Sequence, residues 1–268
     1  MAKTRDEIFQ DENEIVKSRQ TKDTPSGRFQ ILIRSYKTGN GGWNYSRGTI
    51  FDKDGKEVCD IKRNYPGFHH SFFSKGGEEW LVSGEHYLSQ VFVNLDTGKT
   101  YKSDVSGPNS LCWVDVYLAQ DEQTLVVCAC VWGGEYGYHF FDFSNPESGW
   151  PEIPCKKHIL SDYSFKNQEP EFNDDGTISF FENESFYKPL QKWDCDIRMK
   201  DLEGNELEYD KDENWDNLLQ EKTTVKIEDG KVIVVEEWMS ERRIEQKRKI
   251  EEYLEKIRKK REKKELKE

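Results

Sequence analysis

The most informative segment of this 268-residue chain is Thr124-Leu-Val-Val-Cys-Ala-Cys-Val-Trp-Gly-Gly-Glu-Tyr-Gly-Tyr-His-Phe-Phe-Asp-Phe143. It is apolar at every position from Leu125 to Trp132, passes through a turn rich in glycine and aromatic residues, and continues as a second aromatic run. A short run that is apolar at every position is typical of a strand buried on both faces of its sheet. We therefore predict a strand of this kind, followed by a loop and a second strand, in a protein built from repeated antiparallel sheets.

The same order of strand, turn and strand returns along the chain. The second strand of each unit begins near residue 28, 79, 124, 177 or 231, which gives a spacing of about 45 to 54 residues. Turns such as Asp54-Gly55 and Asp229-Gly230 separate the strands, and these dipeptides favour tight hairpins. We predict four full units and an incomplete fifth. The last four predicted strands are 193–202, 205–209, 223–227 and 231–238.

Four short strands in every 40 to 50 residues or so are the pattern of β-propeller blades. In this periodicity the chain resembles WD-repeat-like β-propeller proteins over roughly residues 14–238. The resemblance implies an all-β, antiparallel, propeller-like repeat domain of four to five blades, each of about 45–54 residues. A strand near Ile15 would supply the missing edge if the ring closes. A curved β-sandwich is the alternative fold.

We divide the chain into three parts. Residues 1–24 form a polar N-terminal segment, expected to be loose until it joins the fold near residue 14, and residues 25–240 form the propeller-like domain. Residues 241–268 contain no glycine or proline and consist almost entirely of Glu, Lys, Arg, Ile and Leu, which predicts a charged C-terminal α-helix. This helix carries 13 basic and 8 acidic residues, although the whole chain has a net charge of −12.

The charge distribution limits the class of partner. An acidic body repels nucleic-acid phosphate, so nucleic acid is unlikely to bind except through the basic tail. The chain contains no apolar run near 18 residues, and charged residues follow Met1 almost at once, so we expect neither a membrane span nor a secretion signal. The six cysteines form no C-x-x-C pair and fit buried thiols in a reducing compartment. We expect an intracellular protein, cytoplasmic or nuclear.

Glycine-aromatic loops are the best candidates for a binding surface. They fill equivalent places between strands, at 41–45 and 132–138, and on a propeller they would share one face with the loops that lead into each blade, such as 65–70. Trp and Tyr offer a large contact area at low entropy cost, although these aromatics would also serve simply to pack the loops together. The predicted partner-binding residues are Trp43, Tyr45, His69, His70, His86, Trp132, Tyr136 and Tyr138 in the loops, and Ile250, Tyr253 and Ile257 on the helix.

The sequence contains no recognisable catalytic motif. It lacks a nucleophile elbow, a P-loop and a dinucleotide fingerprint, so we predict no catalytic residue and no cofactor. His69, His70 and His86 have no spacing typical of metal ligands, so we predict no metal. The favoured function is a non-enzymatic interaction scaffold that binds another protein or a multi-subunit assembly through the aromatic loop face and the helical arm. The alternative is a propeller that binds a carbohydrate or small ligand, either as a binding protein or as a hydrolase.

Overall fold

The computed structural model describes residues 4–39, 41–103, 111–131, 134–161, 169–184 and 219–241, together with residues 244, 248, 251, 252, 255, 258 and 259. Within these residues, sixteen strands form four sheets of four strands each. The strands are β1 (Gln20–Asp23), β2 (Phe29–Tyr36), β3 (Tyr45–Asp52), β4 (Glu57–Arg63), β5 (Ser71–Lys75), β6 (Glu78–Ser83), β7 (Val91–Asn94), β8 (Thr100–Lys102), β9 (Cys112–Leu118), β10 (Thr124–Cys130), β11 (Gly137–Asp142), β12 (Ile159–Leu160), β13 (Glu171–Phe172), β14 (Ile178–Glu184), β15 (Leu219–Glu228) and β16 (Lys231–Met239).

Each sheet is built from strands that follow one another in the chain. The first sheet contains β1–β4, the second β5–β8, the third β9–β12 and the fourth β13–β16, and every strand lies beside its neighbours in sequence. The pairs are antiparallel, as expected for strands joined by direct connections. The predicted all-β class and the repetition of antiparallel sheets are confirmed.

Helix is a minor component of the described residues. The short helical segments are α1 (Arg5–Ile8) and the 3₁₀ turns Asp11–Asn13, Val16–Ser18 and Pro146–Ser148. The described positions after Ser240 have helical backbone conformation but are scattered in sequence, so the helix predicted over 241–268 stays a prediction. Its predicted contact residues Ile250, Tyr253 and Ile257 lie outside the described residues. No helix of the described part is long and apolar enough to cross a bilayer.

The N-terminal segment packs on the first sheet well before residue 14. Ile8 and Phe9 are buried against Tyr36 of β2, and the Phe9 and Tyr36 rings meet edge to face with centroids 5.1 Å apart. Arg5 Nη2 donates a hydrogen bond to the Lys62 carbonyl at 2.6 Å. Two buried apolar side chains are too few to produce a periodic pattern, which is why a loose segment was expected.

The first sheet begins with β1 and not with the segment near Ile15 that we predicted. That segment makes a single bridge, from Glu14 to Tyr36, before the 3₁₀ turn. β1 then pairs with β2 along its whole length. All four side chains of β1 are exposed, so this strand has no alternation of apolar and polar residues that would reveal it.

The strands predicted as a fifth unit belong to the fourth sheet. β15 pairs directly with β14, with Ile178 opposite Val225, and β16 is the outer strand beyond β15. The strands predicted at 193–202 and 205–209 lie outside the described residues. The assignment of 223–227 and 231–238 to a separate unit was wrong because a hairpin pattern detects only strands that are close in sequence.

The central segment of the sequence forms the best-buried strand. All seven residues of β10 are buried, as predicted from their apolar run. Leu125, Val127 and Ala129 contribute to a core shared with the second sheet. Cys130 instead joins a smaller cluster with Cys112 of the adjacent strand. The prediction of a strand buried on both faces is confirmed for the residues up to Cys130.

The second sheet is buried on both faces as well. Leu81 of β6 packs in one core with Ile31 and Ile50 of the first sheet. Its neighbours Trp80 and Val82 point the other way, into the core shared with the third sheet. Successive side chains of a strand alternate between faces, so one strand contributes to two cores. The first three sheets are therefore packed side by side through their faces.

Polar contacts join the hairpins of the first and second sheets. The carboxylate of Glu79 is buried and accepts hydrogen bonds from Thr24 Oγ1 at 2.9 Å, from Ser26 N at 3.2 Å and from the Ser26 hydroxyl. The guanidinium of Arg28 forms a bidentate ion pair with Asp96. A buried carboxylate is tolerated only where donors surround it, and here the turn before β2 provides them.

The chain divides into two compact units. The first contains residues 1–160 and 227–232 and includes the first three sheets, and the second contains residues 161–226 and 233–268. The short segment 227–232 belongs to the first unit through Val232, whose backbone N–H donates to the Pro154 carbonyl at 3.2 Å.

Candidate functional site

Four aromatic side chains from four different loops of the first unit pack together, three of them through direct ring contacts. The rings of Trp43 and Tyr65 meet edge to face with centroids 5.7 Å apart, and the rings of Tyr65 and Tyr87 lie 5.1 Å apart. Tyr87 then packs against the buried cluster that contains Cys112, and Tyr136 packs against the same cluster. We call Trp43, Tyr65, Tyr87 and Tyr136 the aromatic row.

The topology explains why these residues meet. Trp43 lies between β2 and β3, Tyr65 between β4 and β5, Tyr87 between β6 and β7, and Tyr136 between β10 and β11. Every second connection of an antiparallel meander lies at the same end of its sheet. Sheets that pack side by side therefore bring these loops together. The sequence-based prediction that the glycine-aromatic loops share one face used the same rule, that connections alternate between the two ends of a sheet.

The members of the row differ in exposure. Trp43 is 57% exposed, whereas Tyr65, Tyr87 and Tyr136 are half-buried. Val131, at the start of the loop that carries Tyr136, is also 57% exposed. Apolar side chains thus reach solvent at both the first and the third sheet.

Two of the residues that we predicted to bind a partner lie in strands, and one of them is buried. Tyr138 is the second residue of β11, pairs with Cys128 and Ile159, and is only 7% exposed. Tyr45 is half-buried and packs beside Phe9, with ring centroids 6.0 Å apart. Both residues are in strands, where a side chain that packs on the core is not available to contact a partner.

The remaining predicted residues have varied positions. His86 is half-buried in the loop after β6, where its backbone N–H donates to Ser89 Oγ at 2.8 Å. Trp132, like the three predicted helix residues, lies outside the described residues. Tyr65 and Tyr87 were not among the predicted binding residues, although both lie in loops that the sequence pattern assigned to this face. Loop position was the signal that would have found them.

A small recess that is open to solvent lies beside the aromatic row. It is lined by the end of β4, the loop before β5 and the first residue of β5, the end of β6, the loop between β6 and β7, and β9. The polar side chains on its wall include Arg63, His69, His70, Ser71, Ser83 and Gln90. Its apolar walls include Val82, Val116 and Trp113. Tyr87 belongs to both the recess and the row, so the two features are continuous.

Arg63 is the most unusual residue of this recess. It is only 2% exposed, and its guanidinium carbon lies 5.8 Å from the centroid of the Tyr65 ring. Nη1 donates to the Gly84 carbonyl at 2.8 Å, while the buried Nε has no hydrogen-bond partner. Among the described residues, no carboxylate forms an ion pair with this guanidinium. Burial lowers the pKa of Arg63, because the charged form loses its hydration.

The two histidines of the recess are held in their neutral form. Burial lowers the pKa of His69, and the positive charge of Arg63 lowers it further. Burial also lowers the pKa of His70, and Lys22 adds to this effect, although His70 Nδ1 lies 2.8 Å from the Phe68 carbonyl. Near neutral pH, Arg63 is therefore the charged side chain among Arg63, His69 and His70.

The buried cluster that contains Cys112 has no activated nucleophile among the groups whose pKa is shifted. The Tyr87 hydroxyl and the Cys112 thiol are hydrogen-bonded, and burial raises the pKa of both groups. A thiol with a raised pKa is a poor nucleophile because little thiolate is present. In the described part of the chain, no group of three or more His, Cys, Asp and Glu residues is arranged to hold a metal ion. The geometry thus supports recognition by contact, with a hydrophobic row and one buried cation.

Comparison with known proteins gives a family for this chain. No protein-family model matches it. It is 36% identical over 221 residues to Uncharacterized protein R762 of Acanthamoeba polyphaga mimivirus, with 81% of this chain and 85% of the viral protein covered. The chain belongs to the R762 family. The 221 aligned residues outnumber those of either compact unit, so the similarity extends into both units.

Proposed function

We propose that this protein is a β-propeller-like interaction module. It binds another protein at the end of its first three sheets where the loops of the aromatic row lie. The aromatic row is the observation that carries the proposal. Its exposed member, Trp43, rests on Tyr65, which in turn rests on Tyr87, so the surface side chain is supported by packed neighbours. Rigid, supported aromatic side chains are typical anchors of protein interfaces, because little side-chain entropy is lost when they bind.

The propeller assignment is part of this proposal. Consecutive four-stranded antiparallel sheets and a second sheet packed on both faces support the interpretation of each sheet as a blade. A ring of such blades would place every second connecting loop of each blade on one face. A curved β-sandwich would instead bring the loops of only two sheets together at each end.

We also propose a second contact through the C-terminal segment. Residues 241–268 carry a net positive charge next to an acidic body, and their composition favours a helix. A basic helical arm of this kind would anchor the protein in a larger intracellular assembly, where it would complement an acidic surface. The protein acts in this proposal as a scaffold without catalytic activity.

The test begins with affinity capture of the full-length protein and quantitative mass spectrometry. Once a stoichiometric partner is identified, the variant Trp43→Ala is expected to weaken its binding by about tenfold or more, as for an interface anchor. Trp238→Ala is the matched control, because Trp238 is also exposed, at 47%, but lies on β16 and outside the aromatic row. A partner that binds both variants as tightly as the unaltered protein would refute the proposed face.

The contribution of the C-terminal segment is measured separately. A chain that ends at Ser240 is expected to keep the partner that depends on Trp43 and to lose any partner that binds the basic arm. Binding through the arm should weaken steeply as salt concentration rises, since salt screens the attraction between a basic segment and an acidic surface. If removal of residues 241–268 changes the binding of no captured protein, the second contact does not exist.

A further inference from the structure

Among the residues that the structure describes, no carboxylate pairs with the buried cation beside the aromatic row. A buried charge is costly to a fold unless an opposite charge or several hydrogen bonds compensate for its lost hydration. Arg63 is 98% buried, counted from its 2% exposure, and the Gly84 carbonyl is its hydrogen-bond acceptor. Its Nε is buried without an acceptor. Four other arginines of the first unit form ion pairs, as Arg47 does with Asp60 at 2.5 Å. Arg34 has no ion pair in the described part of the chain, but it is only half-buried and donates to Thr49 Oγ1 at 3.1 Å.

The position of Arg63 indicates where a missing partner would lie. Arg63 forms part of the wall of the open recess, and the hydroxyl group of Ser71 is on the same wall. The nearby Ser83 hydroxyl already donates to the His69 carbonyl at 2.8 Å. Ser71 Oγ accepts a hydrogen bond from Val116 N at 3.1 Å, which leaves the hydroxyl hydrogen available for a bound acceptor. A guanidinium and a hydroxyl group are common donors to anionic oxygen atoms.

We propose that the recess beside Arg63 binds a carboxylate carried by the protein partner. This inference rests on the proposed function, since the partner that covers the aromatic row also supplies the carboxylate. The open recess leads from the row at Tyr87 to the buried guanidinium, so one short acidic side chain can enter it while the surrounding partner surface contacts Trp43.

The chemistry of the wall favours a carboxylate over a phosphate group. His69 and His70 are neutral near neutral pH, so one positive charge faces the recess from these loops. A single guanidinium matches the single negative charge of a carboxylate, whereas phosphate groups are usually held by clusters of basic side chains. The apolar side chains of Val82 and Val116 provide a surface for the aliphatic stem of the acid.

The experiment uses the full-length protein and small carboxylates as probes. Acetate is titrated at constant ionic strength against chloride, and binding is followed by thermal shift and by the NMR signal of the Trp113 indole, which lies on the wall of the recess. We expect a saturable rise in melting temperature and a saturable shift of the indole signal, because a ligand that binds only the folded state stabilises it. The N-acetyl α-amide of glutamate and N-acetylglycine then compare a side-chain carboxylate with a chain-terminal one, and the tighter of the two identifies the source.

Two substitutions test the role of Arg63 itself. Arg63→Met removes the charge at similar length and is expected to fold with an equal or higher melting temperature in chloride, while its response to acetate is lost. Arg63→Lys keeps the charge without the planar fork and is expected to weaken acetate binding by about tenfold. Arg28→Met is the matched control, because Arg28 is paired with Asp96 and lies outside the recess. If Arg63→Met fails to fold, the indole signal of the unaltered protein and Arg63→Lys still decide the question.

Three outcomes would overturn the inference. They are the absence of a saturable response to acetate, an equal response in Arg63→Met, and a response to inorganic phosphate without one to acetate. The result is separable from the proposed function, because the probes bind the isolated protein. Trp43→Ala is expected to lose the partner but to keep acetate binding. If acetate fails while Trp43→Ala still loses the partner, the interface stands and the carboxylate site does not.

Discussion

The ring of Phe68 lies directly against the backbone of Gly48. A β-carbon built on Gly48 would be 2.2 Å from Cζ of this ring, far inside the distance that real β-carbons keep. Gly48 is in the middle of β3, opposite Ile33 on one side and Ile61 on the other. The loop that leads from the first to the second sheet thus packs on the first sheet through Phe68, at the position where Gly48 has no side chain.

We expect Gly48→Ala to destabilise the protein by about 1 to 3 kcal/mol, because the added methyl group displaces the Phe68 ring. Chemical denaturation followed by tryptophan fluorescence measures the change. The control is a double-mutant cycle with Phe68→Ala, in which the added methyl group has space and should cost much less. Equal costs in the two backgrounds would mean that the ring is not the cause.

Burial of β10 is tested with two valines of the same segment. Val127 is fully buried in the core between the second and third sheets, and Val131 is 57% exposed. We expect Val127→Ala to lower the free energy of unfolding by about 2 kcal/mol, since it removes two buried carbon atoms and leaves a cavity. Val131→Ala is expected to change it by less than about 0.5 kcal/mol. Similar values for both substitutions would contradict the burial of this strand.

The buried carboxylate of Glu79 is expected to be sensitive to the loss of its charge. Glu79→Gln places an amide N–H₂ group among Thr24 and Ser26, which already donate to this position, and should destabilise the protein by about 1 to 3 kcal/mol. Glu57→Gln, at an exposed position of β4, is the matched control and should be nearly neutral. If the two variants unfold at the same denaturant concentration, the hydrogen bonds to the Glu79 carboxylate do not stabilise the protein.

The recess histidines predict a dependence of stability on pH. Both pKa values lie below their ordinary value of 6.5 in the folded state, so the unfolded chain binds more protons once the pH falls through 6.5. The free energy of unfolding should therefore decrease as pH is lowered from about 7 to about 5, and it should not depend on these histidines well above about pH 7. The double variant His69→Gln and His70→Gln is expected to have a shallower slope in this window, measured by denaturation at each pH. Parallel curves for the variant and the unaltered protein would exclude the histidines as the cause.

The sequence allowed the prediction of those elements whose side chains are apolar in a local pattern. The run that forms β10 was recognised because every residue of it is apolar, which in a short segment indicates two buried faces. β1 has no apolar face at all and was missed. The pairing of β14 with β15 joins residues on either side of positions 185–218, and no local pattern records a contact over that distance.

The candidate site was predictable only in outline. Alternation of loops along a meander assigned Trp43 and the loop of Tyr65 to one face, and both are in the aromatic row. Tyr138 was misjudged because a strand that is aromatic on both faces does not show which residue turns inward. Arg63 follows Lys62 and resembles any charged residue at the end of a strand. Its burial without a counter-ion depends on tertiary packing, so only the structure reveals it.

The contribution of β6 to two cores has a consequence for cooperativity. Opening of the second sheet would expose Leu81 on one side and Val82 on the other, so the cost of local opening includes the apolar contacts of both neighbouring sheets. Amide protons of the first three sheets should therefore exchange with solvent through one shared unfolding event and not sheet by sheet. A partner held at any one loop would slow exchange in all three sheets equally, and hydrogen exchange would report binding even where the partner makes no contact.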